Sequence, residues 1–315
     1  MEDIKIVLGC QGMGDILCSI PAIKYMSRIY NQKIKVFTYN AEILKNFPFI
    51  ELIDYIPNDA YHTFDIQKYL HHKTDIRQLH AISLGFQLSP NEMQIEFYPD
   101  KYTEIEYLPK EYIVIHPVKT WASRTWERER WQDLADKLSD IIPVIAIGKD
   151  SSEIGNYNTE KPSYKINIKN GIDLTNKTNI HQTWHILNNA ILTVTMDSGI
   201  LHLAGTTDTY IVQPASSIDH FYRAPYRYGS QNYKYSYVYG ECKLFCASDL
   251  KYNIIHHGTH KILPPIPFCL ERLETIGTKD EPNQNIYKCH PTVDSVYNEI
   301  ISHIPRKKDN GYFFI

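Results

Sequence analysis

The sequence lacks a long hydrophobic run. None of its apolar stretches reaches the roughly 18 to 20 residues that a membrane-spanning helix needs. Its first residues, Met1-Glu2-Asp3, are acidic, whereas a signal peptide opens with positive charge. We therefore expect a cytoplasmic protein without a transmembrane segment.

The sequence also lacks a strong excess of either charge. Its 33 Lys and Arg residues nearly balance 36 Asp and Glu residues, so the net charge is −3 and the pI is near 6.5. No overall field draws such a chain to nucleic acid or to an anionic membrane, although a local basic groove is compatible with this balance. The composition therefore offers no evidence for a nucleic-acid partner.

Cysteine is scarce, with six residues in 315, which is too few for a disulfide scaffold. Four of the six fall late in the chain, at Cys242, Cys246, Cys269 and Cys289. Four thiolates in one segment can hold a tetrahedral zinc or iron ion, and the first two have a chelating spacing. Two other interpretations stay open: four reduced, buried cysteines in a loop-rich segment, or two disulfides, which a cytoplasmic protein disfavours.

What is present is a regular alternation of short apolar strands and amphipathic helices, which is typical of an α/β fold with parallel sheets. The chain is long enough for two domains, with 43% apolar and 22% charged residues. Proline-containing breaks at 89–91 and 98–100 precede a polar run. We place a domain boundary near residue 108, which gives an N-terminal Rossmann-like domain over 1–108 and a C-terminal domain over 109–315.

The same pattern predicts the individual elements. After a first strand (4–8) and a helix ending near Tyr30, the predicted strands cover 33–37, 52–56, 112–116, 144–148, 163–166, 192–195 and 209–212. The predicted helices cover 41–45, parts of 63–86, 129–138, 180–189 and 199–205. A terminal helix follows from six apolar residues at helical spacing, namely Val293, Val296, Tyr297, Ile300, Ile301 and Ile304.

Three loops between a strand and a helix carry the polar residues that chemistry needs. The first contains Gly14 and Asp15, where a helix N-terminus can hold an anion or present a base. A simpler interpretation is that Asp15 only caps the helix.

The second loop, 115–126, combines hydroxyls and cations that suit a pyrophosphate, and its candidates are Thr120, Ser123 and Arg124. It is also compatible with a solvated basic loop. The third loop turns from a strand into a helix, so that its main-chain amides can meet phosphate oxygens. Its candidates are Asp197, Ser198, Gly199 and His202, which a helix cap and a packed histidine would also explain.

In order and spacing, the three loops resemble the signature of glycosyltransferase family 9, the lipopolysaccharide heptosyltransferases and their relatives. The resemblance covers about residues 4–30 and 110–215. Its residues are Gly14-Asp15 with Leu17 and Pro21-Ala22, His116-Pro117 through Arg124 and Trp126, and Asp197-Ser198-Gly199 with His202-Leu203-Ala204. A stretch at 173–178 also looks like that family's linker.

The resemblance implies a GT-B fold, in which two Rossmann-like domains face each other, and an inverting transfer without a catalytic metal. Asp15 takes the position of the general base, and Arg124 that of the residue that binds donor phosphate, with Thr120 and Ser123 as helpers. Residues of the third loop complete the diphosphate site. The resemblance implies a donor that carries heptose or a related sugar on a nucleotide diphosphate, with ADP as the nucleotide, and an acceptor hydroxyl on protein or glycan.

The four late cysteines are similar to the iron finger of the bacterial autotransporter heptosyltransferases, which makes iron the first choice of metal and zinc the second. The sequence departs from the family at two points. Val118 stands where a glycine commonly follows His-Pro, which affects the shape of that loop, and the N-terminal domain is short, which weakens any inference about the acceptor. A non-catalytic nucleotide-sugar-binding or scaffold protein and a GT-B sugar epimerase remain alternatives. The resemblance also leaves a homo-oligomer open.

Overall fold

The computed structural model describes most of the chain and contains two parallel sheets. The described residues are 3–9, 12–63, 74–101, 105, 107–117, 124–149, 164–245, 268–269, 274–275, 287–304, 306–308 and 311–313. For 268–269, 274–275, 306–308 and 311–313 only the main chain is described. The sheets confirm the predicted α/β class.

The first sheet belongs to the N-terminal half and has the strand order β3-β2-β1-β4, with all pairs parallel. Its elements are β1 (Lys5–Leu8), α1 (Met13–Tyr30), β2 (Ile34–Phe37), a short 3-10 helix (Ala41–Ile43), β3 (Ile50–Leu52), β4 (Tyr61–Thr63) and α2 (Ile76–Ser83). β1 lies centrally, so the loop that follows it opens at the carboxyl edge of the sheet. That edge is where α/β proteins place ligands.

The second sheet has the order β10-β9-β8-β5-β6-β7 and is also entirely parallel. Its strands and helices are β5 (Ile113–His116), α3 (Arg128–Ser139), β6 (Val144–Ala146), β7 (Gly171–Asp173), α4 (Ile180–Asn189), β8 (Leu192–Thr195), α5 (Gly199–Ala204), β9 (Tyr210–Pro214) and β10 (Tyr235–Val238). The central strands β5 and β8 are buried along their whole length, as expected for a sheet with both faces covered.

The remaining elements lie after the second sheet. They are β11 (Phe268–Cys269) paired antiparallel with β12 (Glu274–Thr275), the terminal helix α6 (Val293–His303), and β13 (Arg306–Lys308) paired antiparallel with β14 (Gly311–Phe313). The structure confirms the terminal helix that the apolar spacing predicted, and Val296 and Ile300 are fully buried in one core with α3. No helix in the described ranges is long and apolar enough to cross a membrane.

Several predicted elements were wrong in place or type. Residues 164–166 form no strand, and the sheet instead takes β7 from 171–173. Gly171 begins that strand with φ of 138°, and a Cβ there would lie 1.8 Å from the carbonyl oxygen of Val144. The predicted strand 52–56 is found at Ile50–Leu52, and β4 and β10 were not predicted.

Candidate functional site

The site forms where the first turn of α1 meets the start of α5. Gly14 and Gly199 face each other at this contact: a Cβ on Gly14 would lie 3.2 Å from the Cα of Gly199 and 3.2 Å from Cδ2 of His202. The two missing side chains let the helices approach closely. The contact brings together the first and third of the loops singled out in the sequence.

Asp15 lies in the first turn of α1, and its N-cap residue, Gly12, makes no side-chain cap. The residue as a whole is partly exposed, while its carboxyl group lies in a buried environment. Burial of the group raises the pKa of Asp15, and the guanidinium groups of Arg223 and Arg124 partly offset that rise, while the charge of Asp197 adds to it. Asp15 is thus a carboxylate of increased basicity that lies within reach of two cations.

Asp197 follows β8 and is 2% exposed. Arg124 Nη1 donates a hydrogen bond of 2.9 Å to its Oδ2, and Arg223 Nε lies 3.7 Å from the same oxygen. Burial on its own would raise the pKa of Asp197, but the two arginines outweigh it and the pKa is lowered. Asp197 therefore stays ionised and gathers two guanidinium groups in one place.

Ser198 is the N-cap residue of α5, yet its hydroxyl does not cap the helix. It lies 3.2 Å from Nδ1 of His116 and 3.2 Å from Oγ1 of Thr195, which itself lies 3.0 Å from the same nitrogen. Burial lowers the pKa of His116 to about 3, so the imidazole is neutral at physiological pH. His116 thus holds the third loop in place by neutral hydrogen bonds.

His202 lies on α5 with 3% exposure, and burial lowers its pKa to about 3. It is a neutral side chain packed against Gly14, close to Asp197. Its position allows contact with a ligand at the junction of the two helices but supplies no positive charge there.

Seven of the nine predicted catalytic and donor-binding residues lie in described parts of the chain, and they meet at this junction. They are Gly14, Asp15, Arg124, Asp197, Ser198, Gly199 and His202. The other two, Thr120 and Ser123, lie outside the described residues.

The four predicted metal ligands lie in a separate part of the chain. The N–H of Cys242 donates to the carbonyl oxygen of Lys288 at 2.9 Å, and Cys242 packs against a small buried cluster formed by Tyr287 and Cys289. Cys242 and Cys289 are free thiols. Cys246 lies outside the described residues, and of Cys269 only the main chain in β11 is described.

Three residues near the junction were missed by sequence reasoning. Arg223 pairs with Asp197 as described, and His80 on α2 is fully buried near the main chain of Asp15. Arg77 is fully buried one turn before His80. The spacing of Arg77 and His80 places both on one face of α2, but their burial, which distinguishes them from ordinary surface residues, is not visible in the sequence.

One group of potential metal ligands stands out among the described residues: Glu42, Asp100 and His181. The ammonium of Lys45 lies 2.7 Å from both carboxylates, so a cation of the protein already occupies this position. The N–H of Asp100 donates to Nδ1 of His181 at 3.1 Å, so Nε2 carries the proton of the neutral ring. We assign this group as an ion-pair cluster and not as a metal site.

Comparison with protein families matches residues 56–213 to glycosyltransferase family 9 (heptosyltransferase). A comparison with curated protein sequences finds no match.

Solved structures share the fold. The iron-containing dodecameric glycosyltransferase TibC from enterotoxigenic E. coli H10407 superposes with a TM-score of 0.66 at 14% identity, over 96% of this chain and 77% of that one. TibC in complex with ADP-D-beta-D-heptose gives a TM-score of 0.69 at 13% identity, over 96% and 76%. A family 9 glycosyltransferase from Veillonella parvula DSM 2008 gives 0.58 at 11% identity, over 95% and 99%. At these identities the likeness establishes the fold alone.

Proposed function

Because the chain belongs to glycosyltransferase family 9, and is therefore a glycosyltransferase, we propose that it transfers heptose or a related sugar from an ADP-linked donor to a hydroxyl on protein or glycan. The ADP-heptose bound by TibC, which shares the fold, supports this choice of donor. The observation that carries the proposal is the meeting of Asp15 with Arg124 and Arg223 at one junction.

Asp15 is the general base of the proposed reaction. As the acceptor oxygen attacks the anomeric carbon, the bond from that carbon to the donor phosphate breaks, ADP leaves, and Asp15 takes the proton of the hydroxyl. Attack from the side opposite the leaving group inverts the anomeric centre. A raised pKa suits the role, because a base works best when its pKa approaches the working pH and it is still ionised.

The two arginines stabilise the departing diphosphate. Negative charge grows on the leaving phosphate as the bond breaks, and guanidinium groups already in place lower the energy of that state. Asp197 contacts both cations but carries only one negative charge. Asp15 carries the second until it takes the proton of the acceptor, so the junction becomes more positive as the diphosphate leaves. Thr120 and Ser123, in the same loop as Arg124, and the start of α5 would add donors to the phosphate oxygens.

We also propose that Cys242, Cys246, Cys269 and Cys289 hold a structural iron or zinc ion, with no catalytic metal in the transfer. The described part of this segment fits such a site, since the main chain brings Cys242 beside Lys288, the residue before Cys289. Thiolates suit both metals. TibC is described as an iron-containing glycosyltransferase, which supports iron as the metal in this site.

Three further points stay predictions. The division into an acceptor domain (1–108) and a donor domain (109–315) assigns the acceptor to the N-terminal sheet. A homo-oligomer is supported by the dodecameric TibC and is measured by light scattering after size-exclusion chromatography. The cytoplasmic location predicted from the sequence is tested by fractionation.

The test of the reaction is nucleotide release from ADP-, GDP-, UDP- and CDP-sugars, with and without cell extract as the source of acceptor. We expect release from the ADP-sugar that depends on extract and falls about 100- to 10,000-fold in Asp15→Asn, the range that general bases contribute. Asp133→Asn, at an exposed position on α3, is the matched control and should keep wild-type activity. Equal turnover by the Asp15 variant would refute the assigned base, and binding without turnover in wild type would favour a non-catalytic protein.

A further inference from the structure

Arg77 links the N-terminal half of the molecule to the segment that carries Arg223. Within its own half, it forms an ion pair with Asp75, the N-cap residue of α2, whose carboxylate also accepts the N–H of Arg77 at 2.8 Å. Arg77 Nε donates to Asp75 Oδ1 at 2.7 Å, and Nη2 donates to Oδ2. The charge of the buried guanidinium is therefore matched locally, without the C-terminal half.

The same guanidinium reaches across to the C-terminal half. Its Nη2 donates to the carbonyl oxygen of Ala224 at 2.7 Å, and its Cζ lies 4.8 Å from the centre of the Tyr226 ring. Ala224 directly follows Arg223 in the chain. The Ala224 carbonyl also accepts from Gln231 Nε2 at 3.0 Å. Arg77, on α2 next to the helix α1 that carries Asp15, is thus one of the side chains that hold the main chain beside Arg223.

We propose that Arg77 is a positioning residue, which holds Arg223 beside Asp197 and Asp15 and so sets the geometry of the diphosphate site. The inference rests on the proposed function, because it assigns Arg223 to the donor. Arg77 itself contacts no substrate in this assignment and acts through the Ala224 carbonyl.

The energetics of the pair favour positioning over simple stabilisation. A fully buried ion pair gains little net free energy, because desolvation of both charges opposes their attraction. The planar guanidinium can serve Asp75 with two donors and still reach a carbonyl, which a lysine ammonium with its single charge centre cannot do with the same geometry. Arg77→Lys therefore keeps the charge but loosens the link.

The charges facing Asp15 explain what such loosening would change. Arg124 comes from the loop before α3, Asp197 from the end of β8, and Arg223 from the segment held by Arg77. His80 of α2 lies near the main chain of Asp15, and the neutral thiol of Cys18 lies on α1 with Asp15. Of these groups only Arg124 and Arg223 lower the pKa of Asp15, so a displaced Arg223 leaves it higher.

The first test is a double-mutant cycle on ADP binding by calorimetry, using wild type, Arg77→Lys, Arg223→Gln and the double variant. We expect Arg77→Lys to weaken ADP about tenfold when Arg223 is present and less than twofold when Arg223 is glutamine, since residues that act as a unit are not additive. Equal losses in both backgrounds would overturn the proposal.

The second test is the pH profile of kcat. Arg77→Lys should move the acid limb to higher pH and lower kcat by about ten- to a hundredfold, the cost of a misplaced site. Tyr226→Ala, which removes the half-buried ring beside Arg77, should act in the same direction and more weakly. An unchanged acid limb in both variants would contradict the positioning role.

The matched control is Arg227→Lys. Arg227 is also a buried arginine, 3% exposed, but its bonds go to carbonyl oxygens of Ala204, Gly205, Thr209 and Lys234 within the C-terminal half. We expect a lower Tm and an unmoved acid limb. If the control moves the acid limb as far as Arg77→Lys does, the effect is structural and the proposal fails.

The outcomes separate this inference from the proposed function. Transfer that depends on Asp15, together with additive ADP losses, would leave the function standing and remove the role of Arg77. If wild type binds no ADP, the proposed donor fails. Hydrogen exchange of the amides in 219–226 then tests whether Arg77 holds the segment that carries Arg223. Faster exchange in Arg77→Lys supports the link, and exchange at the wild-type rate overturns it.

Discussion

At the scale of single residues, the site uses two aspartates whose pKa values move in opposite directions. Both are close to the same two arginines, but Asp197 makes a direct hydrogen bond of 2.9 Å to Arg124. Asp15 has no such bond among the interactions that set its pKa, and burial prevails. One carboxylate thus holds the cations, and the raised pKa of the other is what the proposed general base needs.

This difference predicts opposite effects on stability. A carboxyl group with a native pKa above its ordinary value of 3.8 contributes stability below that value and loses it as pH rises through the native pKa. Asp15→Asn removes the buried charge, so at pH 7 we expect a higher Tm than wild type. The gain should vanish near pH 3, where Asp15 is protonated, and a melting series from pH 3 to 8 measures it.

Asp197→Asn is the counterpart in the same series. Its native pKa lies below 3.8, so Asp197 contributes stability above that value and loses it as pH falls through the native pKa. We expect a lower Tm at pH 7 and a shrinking difference in acid. A loss of Tm in Asp15→Asn at pH 7 would contradict the cost assigned to burial of that charge.

Sequence reasoning found the residues that belong to local motifs. Asp15, Arg124 and Asp197 each follow a strand end, where the pattern of glycine, charge and hydroxyl is visible in a few consecutive letters. Arg223 and Arg77 have no such context, because their roles depend on contacts between residues 26 and 147 positions apart in the chain. Contacts between residues so far apart in the sequence depend on the topology of the fold, and the local spacing of residues does not reveal them.

At the scale of elements, the contact between α1 and α5 decides whether the loops form one site. A Cβ on Gly199 would lie 2.5 Å from Cε of Met13 and 3.1 Å from the main-chain nitrogen of Gly14. The methionine can turn away, but the main chain of α1 must shift. The helix start that carries Asp15 would then move relative to Asp197.

We therefore predict that Gly199→Ala lowers kcat about ten- to a hundredfold, because small displacements of reacting groups are costly. The fold should persist, with a Tm close to wild type, since alanine suits a helical position. Gly9→Ala is the control: its Cβ would lie 3.4 Å from the carbonyl oxygen of Thr63, an ordinary contact. Wild-type kcat in Gly199→Ala would show that the close approach is not needed.

The terminal helix α6 is a packing element, as its apolar spacing predicted. Ile300 is fully buried in the core that α6 shares with α3. Ile300→Ala should lower the free energy of unfolding by about 2–5 kcal/mol, the cost of lost burial and a cavity. Urea denaturation measures it, and Ile141→Ala, at a side chain that is 50% exposed, should change it by about 0.5 kcal/mol or less.

The strands show where local pattern fails. β5 and β8 were predicted because each is a continuous apolar or β-branched run, which buried parallel strands favour. β10, Tyr-Ser-Tyr-Val, lies in a tyrosine-rich stretch in which the sequence marks no clear strand boundary. β7 begins at a glycine, a residue that in a local sequence pattern indicates a turn. Both are edge strands, placed by pairing with a neighbour that the sequence does not identify.

At the scale of the whole molecule, the four cysteines would join two distant parts of the chain. Cys242 follows the last strand of the second sheet, and Cys289 precedes α6. A metal bound by both ends closes a long loop, and its binding free energy adds to that of folding. The metal would therefore act on the stability of the C-terminal half as a whole.

This argument gives the last prediction. Purified protein should contain about one iron or zinc ion per chain by elemental analysis, since four thiolates complete one tetrahedral site. Cys242→Ser and Cys289→Ser should each lose the metal and lower the Tm, whereas Cys18→Ala, a change of a buried thiol on α1, should keep it. Chelation of wild type should lower its Tm to that of the Cys289 variant. A metal-free wild type with the Tm of the chelated sample would show that these cysteines are reduced packing residues, and retention of metal in both serine variants would place the ion elsewhere.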